Sequence, residues 1–292
     1  MFALIGEMVM RAAAEYLYVK GQRALFELRR MRPVARAMPH FIVIGAQKSG
    51  TSSMFSYLRQ HPQIMRPIYK EPYFFDRHYH HGLGWYGCNF PSRATIERRN
   101  DRFGRPHLTF EATATYVFDE NVPARIAQDL TTRKFILLLR NPVERAISAY
   151  WHARRMGIEA RSLAEAMESD MERYREESSG RYPAQAAAGS PPRRPSYLRR
   201  GIYHEAVSRW QAVFSPADLL VLQSETMFAE PETVMQRVFA FLDIPQPPRI
   251  DFAPRNVGAY PDRDDVLRGA LQDFYRPHNA HLGAITANTF DW

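Results

Sequence analysis

Cysteine is almost absent from this sequence, which excludes one common source of stability. Cys88 is the only cysteine among 292 residues, so no intrachain disulfide can form. Nothing in the cysteine content therefore argues for secretion, and a reducing cytoplasm suits the chain. Hydrophobic residues make up 45% of the sequence, which is enough for a large core. We expect a cytoplasmic protein whose stability comes from apolar packing.

The sequence also lacks a long uninterrupted apolar run. At the N-terminus Glu7 and Arg11 break the apolar stretch and no basic region precedes it, so neither a signal peptide nor a membrane span is predicted. Residues 1–38 instead predict an N-terminal segment of one or two amphipathic helices that ends in an arginine cluster. Such a segment could rest on the inner face of a membrane, or it could pack on its own domain or on a partner.

Acidic residues are too few to balance the basic ones. There are 39 lysines and arginines against 31 acidic residues, giving a net charge of +8. A basic surface suits nucleic acid, an anionic membrane, an acidic glycan or a polyphosphorylated cofactor, and it can also be a solvated face with no partner.

Residues 175–200 are rich in Pro, Gly, Ser, Ala and Arg, and we expect a mobile insert there.

Apolar strand patterns alternate with helical patterns along the rest of the chain. Two wholly apolar runs, Phe41–Gly45 and Phe135–Leu139, predict strands that are covered on both faces, and Leu219–Leu222 predicts a third. Helices are predicted over Thr51–Gln60 and Val143–Arg155. This alternation indicates an α/β fold of the P-loop-like kind, with a central, mainly parallel sheet between two helical layers.

A phosphate-binding loop is predicted after the first strand, although its spelling departs from the Walker pattern. The loop "GAQKSGTSS" places Lys48 before the second glycine rather than after it. Backbone N–H groups at the start of the following helix, the lysine charge and several hydroxyls would together bind an anion. The candidate anion ligands are Gln47, Lys48, Ser49, Gly50, Thr51 and Ser52.

A second anion site is predicted at the end of the second strand. Arg140 follows Phe135–Leu139 directly, and Ser148 lies two turns along the next helix. Because ligands collect at the carboxyl ends of parallel strands, the two sites would be neighbours. No acidic residue ends an apolar strand in the Walker B manner, so Mg-ATP fits poorly. A nucleotide with a 5′ anhydride and a 3′ phosphate fits better.

These motifs resemble those of the sulfotransferases that use 3′-phosphoadenosine 5′-phosphosulfate. The loop is similar to the family's 5′-phosphosulfate loop, and "LLLRNPVERAISAYW" is similar to its 3′-phosphate segment. "KEPYFFDRHYHHGLGWYGCNFP" resembles a segment of the heparan sulfate N- and 3-O-sulfotransferases, and "FEATATYVF", "GIYHEAVSRW", "DFYRPHN" and "TFDW" follow in the same order. The resemblance covers about residues 40–292 and defines a sulfotransferase domain over 39–292.

The resemblance implies roles for individual residues. Glu71 would be the catalytic base, and Lys48 would stabilise charge on the bridging oxygen of the donor. The late phosphate loop would correspond to residues 255–261, where Arg255, Asn256 and Gly258 would hold the 3′ phosphate. The acceptor would be contacted by four residues: Glu111, Tyr73, His78 and Arg200. Three histidines within four residues, beginning at His78, make a poor metal site, and no metal is expected.

Departures from the family pattern leave the acceptor open. Ala112 stands where the heparan enzymes usually carry lysine, Tyr73 stands where the 3-O enzymes carry histidine, and no disulfide can hold the late loop. The absence of a signal anchor suggests a bacterial-like cytoplasmic enzyme rather than a Golgi one.

The sequence predicts transfer to a hydroxyl of a glycan or glycoconjugate, without nucleic acid as a partner. Alternatives are N-sulfation of an amino sugar, O-sulfation of a small or lipid alcohol, a P-loop kinase and a non-catalytic polyanion binder. A histidine base, such as His61, is a further alternative within the enzyme class.

Overall fold

The computed structural model describes residues 2–32, 34–178, 196–253, 264–286 and 288–292. Within these ranges one parallel sheet of five strands forms the centre of the protein, in the spatial order β2-β3-β1-β4-β5. The strands are β1 Phe41–Gly45, β2 Ile64–Met65, β3 Leu108–Glu111, β4 Phe135–Leu139 and β5 Leu219–Gln223. The α/β fold with a central parallel sheet is thereby confirmed, and the sheet is wholly parallel.

Both faces of the central strands are covered, which explains their continuous apolar sequences. Every residue of β1 and β4 is buried. Successive side chains of a strand point to opposite faces, so Ile42 and Ile44 pack in one apolar cluster while Phe41 and Val43 pack in another on the other face. The helices that cover the two faces complete a three-layer arrangement.

The two helices predicted after the first two strands are present, and their ends lie within two residues of the predicted ones. Among the described residues the helices are α1 Phe2–Arg30, α2 Thr51–Leu58, α3 Gly82–Gly87, α4 Arg93–Phe103, α5 Val122–Asp129, α6 Pro142–Arg155, α7 Leu163–Ser178, α8 Tyr203–Gln211, α9 Ser224–Ala229, α10 Pro231–Phe241 and α11 Asp265–Thr286. The N-terminal segment is one continuous helix rather than two. No helix in the described ranges combines the length and the apolar character that crossing a bilayer would require.

The two ends of the predicted insert, residues 175–200, are ordered parts of the domain. Residues 175–178 complete helix α7, and Tyr197 and Leu198 are buried. The Leu198 amide donates to Asp170 at 2.6 Å, and the Tyr275 hydroxyl donates to the Leu198 carbonyl at 2.9 Å. The expected loop is therefore shorter than predicted at both ends. Its first residues belong to α7, and near its last residues the side chains of Tyr197 and Leu198 pack into the core. Residues 179–195 lie outside the described residues.

Candidate active site

The candidate site lies at the carboxyl edge of the sheet, where the loop after β1 turns into α2. Gly50 precedes the helix with φ of 89°, a left-handed conformation that favours glycine, and Lys48 also has positive φ, at 72°. A Cβ at Gly50 would approach Met227 Cε to 2.7 Å. The first-turn amides of α2, including those of Thr51 and Ser52, have no acceptor within the helix. This loop therefore offers free N–H groups and the positive end of a helix dipole to an anion.

Lys48 lies in an excess of positive charge. Burial lowers the pKa of its ammonium group, and the nearby charges of Arg155, Arg140 and Lys70 lower the pKa further. Within the described part of the chain its Nζ atom has no hydrogen bond or ion pair. Three cations near a half-buried lysine, with no carboxylate bound to that lysine, attract an anionic group strongly.

Lys70 connects this loop to Glu71. Its Nζ atom lies 3.1 Å from Ser52 Oγ, 3.3 Å from Thr51 Oγ1 and 3.4 Å from Glu71 Oε1. Burial lowers the pKa of Lys70, and the charge of Glu71 partly opposes this effect. The side chains of Lys70 and Glu71 are only 22% and 26% exposed, so this is not an ordinary surface ion pair. The structure therefore brings the candidate base and the candidate anion loop into one hydrogen-bonded group.

Two further groups fix the Glu71 carboxylate. The Tyr73 hydroxyl donates to Oε2 at 2.7 Å, and the Ala114 amide donates to Oε1 at 3.3 Å. Burial and this hydrogen bond raise the pKa of Tyr73, which keeps its hydroxyl protonated as a donor. The Arg77 guanidinium covers the Tyr73 ring at 4.4 Å from the centroid. Tyr73, predicted to contact the acceptor, thus orients Glu71 in this structure.

The second predicted anion site lies next to the loop. Arg140 Nη1 donates to the Lys48 carbonyl at 3.3 Å, while Nη2 lies 3.9 Å from a Glu144 carboxylate oxygen. The Tyr203 hydroxyl donates to the Arg140 carbonyl at 2.9 Å. Ser148 is buried on α6, the helix that begins just after Arg140. Arg140 is therefore held at the edge of the loop by neighbours on α6 and α8.

Arg200 also belongs to this site, although the sequence placed it in a mobile insert. Its Nη1 atom donates to Gln47 Oε1 at 2.6 Å, and its guanidinium lies 5.4 Å from the centre of the Phe118 ring. Burial, together with the charges of Arg145 and Arg77, lowers the pKa of Arg200 to about 10. The short helical turn Arg199–Gly201 carries this guanidinium to the loop.

Glu111 does not lie where an acceptor-binding role would require it. Its side chain is fully buried and accepts hydrogen bonds from the hydroxyls of Tyr86, at 2.7 Å, and Thr113. Burial raises the pKa of Glu111 to about 8. The predicted contact of Glu111 with the acceptor therefore needs correction. Glu111 is an internal carboxyl group, because strand β3 carries it into the core.

The histidines are poor candidates for the catalytic base. His61 is buried, and its ring bonds the Gln63 amide at 3.0 Å and the Pro245 carbonyl at 2.8 Å. His78 packs against Trp85 with ring centroids 5.5 Å apart, and no hydrogen bond joins it to Glu71. The predicted 3′-phosphate residues Arg255, Asn256 and Gly258 lie outside the described residues.

Sequence reasoning missed three groups that the fold brings to the loop. Lys70 directly precedes Glu71, and an adjacent lysine–glutamate pair in an aromatic segment is the one local signal that could have indicated it. Arg155 and Tyr203 had no local signal, because they come from α6 and α8. Only the packing of those helices on the sheet reveals them.

The fold and this site define a class: an α/β protein whose loop at the carboxyl edge of a parallel sheet is suited to an anionic, phosphate-like group. The chain belongs to the sulfotransferase domain family, whose model matches residues 38–252. Among solved structures, the sulfotransferase from Alicyclobacillus acidocaldarius has a TM-score of 0.64 and 28% identity. That likeness covers 87% of this chain and 98% of the bacterial one.

The curated relatives include heparan sulfate enzymes. Heparan sulfate glucosamine 3-O-sulfotransferase 3A1 of Mus musculus is 29% identical over 88% of this chain and 65% of its own length. Membrane-associated sulfotransferase kil1 of Dictyostelium discoideum is 25% identical over 87% of this chain and 66% of its own length. The N-deacetylase/N-sulfotransferase 3 of Homo sapiens is 26% identical over 85% of this chain, which spans only 30% of that bifunctional protein. The chain thus spans just under two thirds, or less, of these relatives.

Proposed function

We propose that this protein is a sulfotransferase that moves the sulfuryl group of 3′-phosphoadenosine 5′-phosphosulfate to a hydroxyl of a glycan or glycoconjugate. The observation that carries the proposal is the unpaired Lys48 ammonium, set among Arg140, Arg155 and Lys70 at the start of α2. Membership of the sulfotransferase domain family supports the same reaction class.

The residues present fit such a donor. Its 5′ end would be held by the loop amides, Lys48 and the hydroxyls of Thr51 and Ser52. Arg140 and Ser148 would hold the 3′ phosphate, and Arg255, Asn256 and Gly258 are proposed as further ligands of that phosphate. When bound, the donor supplies an activated sulfuryl group whose bond to the bridging oxygen breaks as the acceptor oxygen forms its bond to sulfur. Adenosine 3′,5′-bisphosphate leaves.

Glu71 has the surroundings of a general base. Tyr73 and Ala114 hold its carboxylate in one orientation, and a partly open side chain leaves room for an acceptor proton. In the proposed mechanism Glu71 takes the proton of the acceptor hydroxyl as that oxygen attacks. Lys48 stabilises the negative charge that develops on the leaving oxygen. Positioning and charge stabilisation supply most of the rate increase, as in phosphoryl transfer, and no covalent enzyme intermediate is needed.

Lys70 contacts both the proposed donor loop and the proposed base, Glu71. Its ammonium group contacts the hydroxyls that would grip the 5′ phosphate and also the carboxylate of the base. It would hold the Glu71 carboxylate in one orientation while the donor is bound. Lys70 also provides a lysine near the proposed acceptor side. The related heparan sulfate enzymes usually carry a lysine directly after the position of Glu111, and in this chain that position is Ala112. The Ala112 amide indeed donates to the Lys70 carbonyl at 2.9 Å, so the two positions are neighbours.

The acceptor is proposed as a glycan because the family resemblance and the names of the heparan sulfate relatives support it. A net charge of +8 favours an anionic sugar chain. Tyr73, His78 and Arg200 are proposed as residues on the acceptor side, whereas the buried Glu111 is not. An amino-sugar nitrogen or a small or lipid alcohol are the alternative acceptors. The free thiol of Cys88 agrees with a reducing, cytoplasmic location, which we also propose.

Transfer of labelled sulfate tests the proposal directly. Purified protein is incubated with labelled 3′-phosphoadenosine 5′-phosphosulfate and, in parallel, with desulfated heparan, chondroitin, an amino-sugar polymer and neutral glycans. Label on a hydroxyl of one glycan, without added Mg²⁺, is the expected result. Label on nitrogen would favour N-sulfation. ATP-dependent, EDTA-sensitive phosphate transfer would instead establish a kinase, and salt-sensitive polymer binding without transfer would indicate a polyanion binder.

A further inference from the structure

Helix α1 is fixed to the domain by one narrow face. Phe26 is 4% exposed, and its ring lies 5.3 Å from Tyr69 and 5.2 Å from Trp85, centroid to centroid. Gln22 donates to the Ile68 carbonyl, and Arg29 donates to the Phe90 carbonyl at 2.8 Å. Residues 22, 26 and 29 recur at helical spacing, so they define a single face, which we call the domain face. The orientation of α1 on the domain is thereby set.

A second face of α1 is apolar and exposed to solvent. Leu17 is 67% exposed, Leu25 is 43% exposed and Leu28 is 44% exposed, and Met31, just past the helix, is 72% exposed. At 100° per residue Leu17 and Leu28 fall about 20° apart, with Leu25 about 60° beyond Leu28. Leu17 and Leu28 point away from the domain face, and Leu25 lies between them and that face, so the three leucines form one exposed apolar stripe. An apolar stripe of this length left in water marks a contact surface.

A third face is basic. Lys20, Arg23 and Arg30 lie along it at positions i, i+3 and i+10, and Glu27, which lies on the same face, pairs with Arg30 at 2.9 Å. Two hollows at the base of the helix extend this charge, and no acidic residue lines either of them. The arginines that line these hollows are Arg29, Arg30, Arg32, Arg36, Arg59, Arg66 and Arg99.

We infer that α1 lies in the surface of an anionic membrane, with the apolar stripe in the acyl boundary and the basic face against lipid phosphates. A helix with leucines on one face and lysine and arginine beside them is the composition of interfacial helices. An acidic polymer would use the arginines but would leave the leucines in water. A second copy of this chain, joined through the same stripe, would bring two basic faces side by side, which like charges oppose.

The placement of α1 has a consequence for the candidate site. The domain face contacts Ile68 and Tyr69, which immediately precede Lys70 and Glu71. A membrane-bound α1 would therefore hold the entrance of the site close to the lipid surface. Acceptors carried by that surface, such as lipid-linked sugars, would be favoured. This consequence rests on the proposed function, whereas membrane binding itself does not.

Vesicle co-sedimentation of the full chain tests the inference. Binding to phosphatidylcholine vesicles that contain phosphatidylserine is expected, with little binding to pure phosphatidylcholine. Leu17→Ser/Leu28→Ser and Lys20→Glu/Arg23→Glu should each weaken binding at least about tenfold, because each removes an apolar or an electrostatic contribution. Matched controls, Ile158→Ser/Val266→Ser and Arg237→Glu/Arg249→Glu, change exposed residues elsewhere and should bind as the unchanged protein does.

Several outcomes would overturn the inference. Absence of vesicle binding, or equal losses in the control variants, would do so. If the protein instead formed concentration-dependent dimers, did not bind vesicles, and became monomeric in the Leu17→Ser/Leu28→Ser variant, the apolar stripe would be a contact with a second copy of the chain. Sulfate transfer to a soluble acceptor should be equal in all four variants, because none of them changes the candidate site. A failed vesicle test with intact transfer would thus refute the membrane inference and leave the proposed function standing.

Discussion

Lys70 and Glu71 form a partly buried pair, 3.4 Å between Nζ and Oε1, in which the lysine also reaches the hydroxyls of the anion loop. The two residues are adjacent in sequence, yet their side chains serve different halves of the site. The Lys70 ammonium contacts the start of the helix that would hold the donor, and Glu71 is the proposed base. In the proposed mechanism, donor binding and proton removal would be coupled through this single ammonium group.

Replacement of that ammonium group tests the coupling. Lys70→Met keeps most of the side-chain volume but removes the charge, so kcat should fall about 100-fold. Affinity for adenosine 3′,5′-bisphosphate should fall as well, because the same ammonium group contacts the Thr51 and Ser52 hydroxyls. Lys70→Arg should recover part of the rate. A purely structural lysine would lower stability in urea and leave both kcat and this affinity unchanged.

Lys134→Met provides the matched control for this variant. Lys134 also pairs with a carboxylate, that of Asp243, but it precedes β4 at the opposite edge of the sheet. The control should turn over normally. Equal kcat and equal bisphosphate affinity in Lys70→Met and Lys134→Met would refute the role given to Lys70.

Glu71→Gln separates binding from turnover. The amide retains the size of the side chain but cannot accept a proton from the acceptor, so kcat should fall about 10²- to 10⁴-fold. Affinity for adenosine 3′,5′-bisphosphate, measured by calorimetric titration, should change less than about threefold, which corresponds to under 1 kcal/mol. Glu97→Gln, at an exposed site on α4, should match the unchanged protein. Near-normal turnover in Glu71→Gln would exclude this residue as the base.

Glu111 should make stability depend on pH. Its pKa is about 8 in the fold against 4.5 for an ordinary glutamate, because burial disfavours the charged form. Between these values the folded protein keeps a proton that the unfolded chain releases, so the free energy of unfolding should decrease as pH rises from about 4.5 to about 8. Glu111→Gln cannot ionise and should flatten this dependence, at a cost of about 1–3 kcal/mol at low pH from a lost acceptor.

Urea unfolding at about pH 5 and about pH 8.5 measures this effect. The exposed Glu232→Gln is the control and should keep the full pH dependence. A Glu111→Gln variant with the same slope as the unchanged protein would show that this carboxyl group does not hold a proton in the fold.

Gly50→Ala should damage the loop. The left-handed conformation costs a residue with a Cβ about 1–2 kcal/mol, and the new methyl group would meet Met227 and Phe228. Affinity for adenosine 3′,5′-bisphosphate should fall together with stability in urea, because the turn sets the direction of the α2 amides. Gly84→Ala, whose Cβ would meet no atom within 4 Å, is the control and should be neutral. Unchanged affinity in Gly50→Ala would place the anion elsewhere.

The central strands were predictable from sequence, whereas the edge of the sheet was not. Four consecutive apolar residues and a glycine in β1, and five apolar residues in β4, are explained by burial on both faces, and the predicted bounds agree with the structure. Strand β3 contains Thr109 and Glu111, and β2 has two residues, so neither shows an apolar run. Their strand character comes from pairing with β1 and with each other, which is information outside the local sequence.

The candidate site was predictable where a motif lies on one segment. The loop, Glu71 and Arg140 could be singled out because each follows or lies beside a recognisable local pattern. The burial of Glu111, the contact of Arg200 with Gln47 and the approach of Lys70 to α2 depend on residues between 18 and 153 positions apart. Such contacts follow from the crossing of strands and helices, which residue patterns alone do not specify.

Titration with adenosine 3′,5′-bisphosphate is the most direct test of the account, since it measures the donor site without any assumption about the acceptor. The unchanged protein should bind the bisphosphate saturably with one site per chain. Lys48→Ala and Arg140→Ala should each weaken binding about 10- to 100-fold, as expected for a lost charge-assisted hydrogen bond of about 1.5–3 kcal/mol, and Arg237→Ala should not. No saturable binding, or equal affinity in all four proteins, would contradict the assignment of this loop as the sulfuryl-donor site.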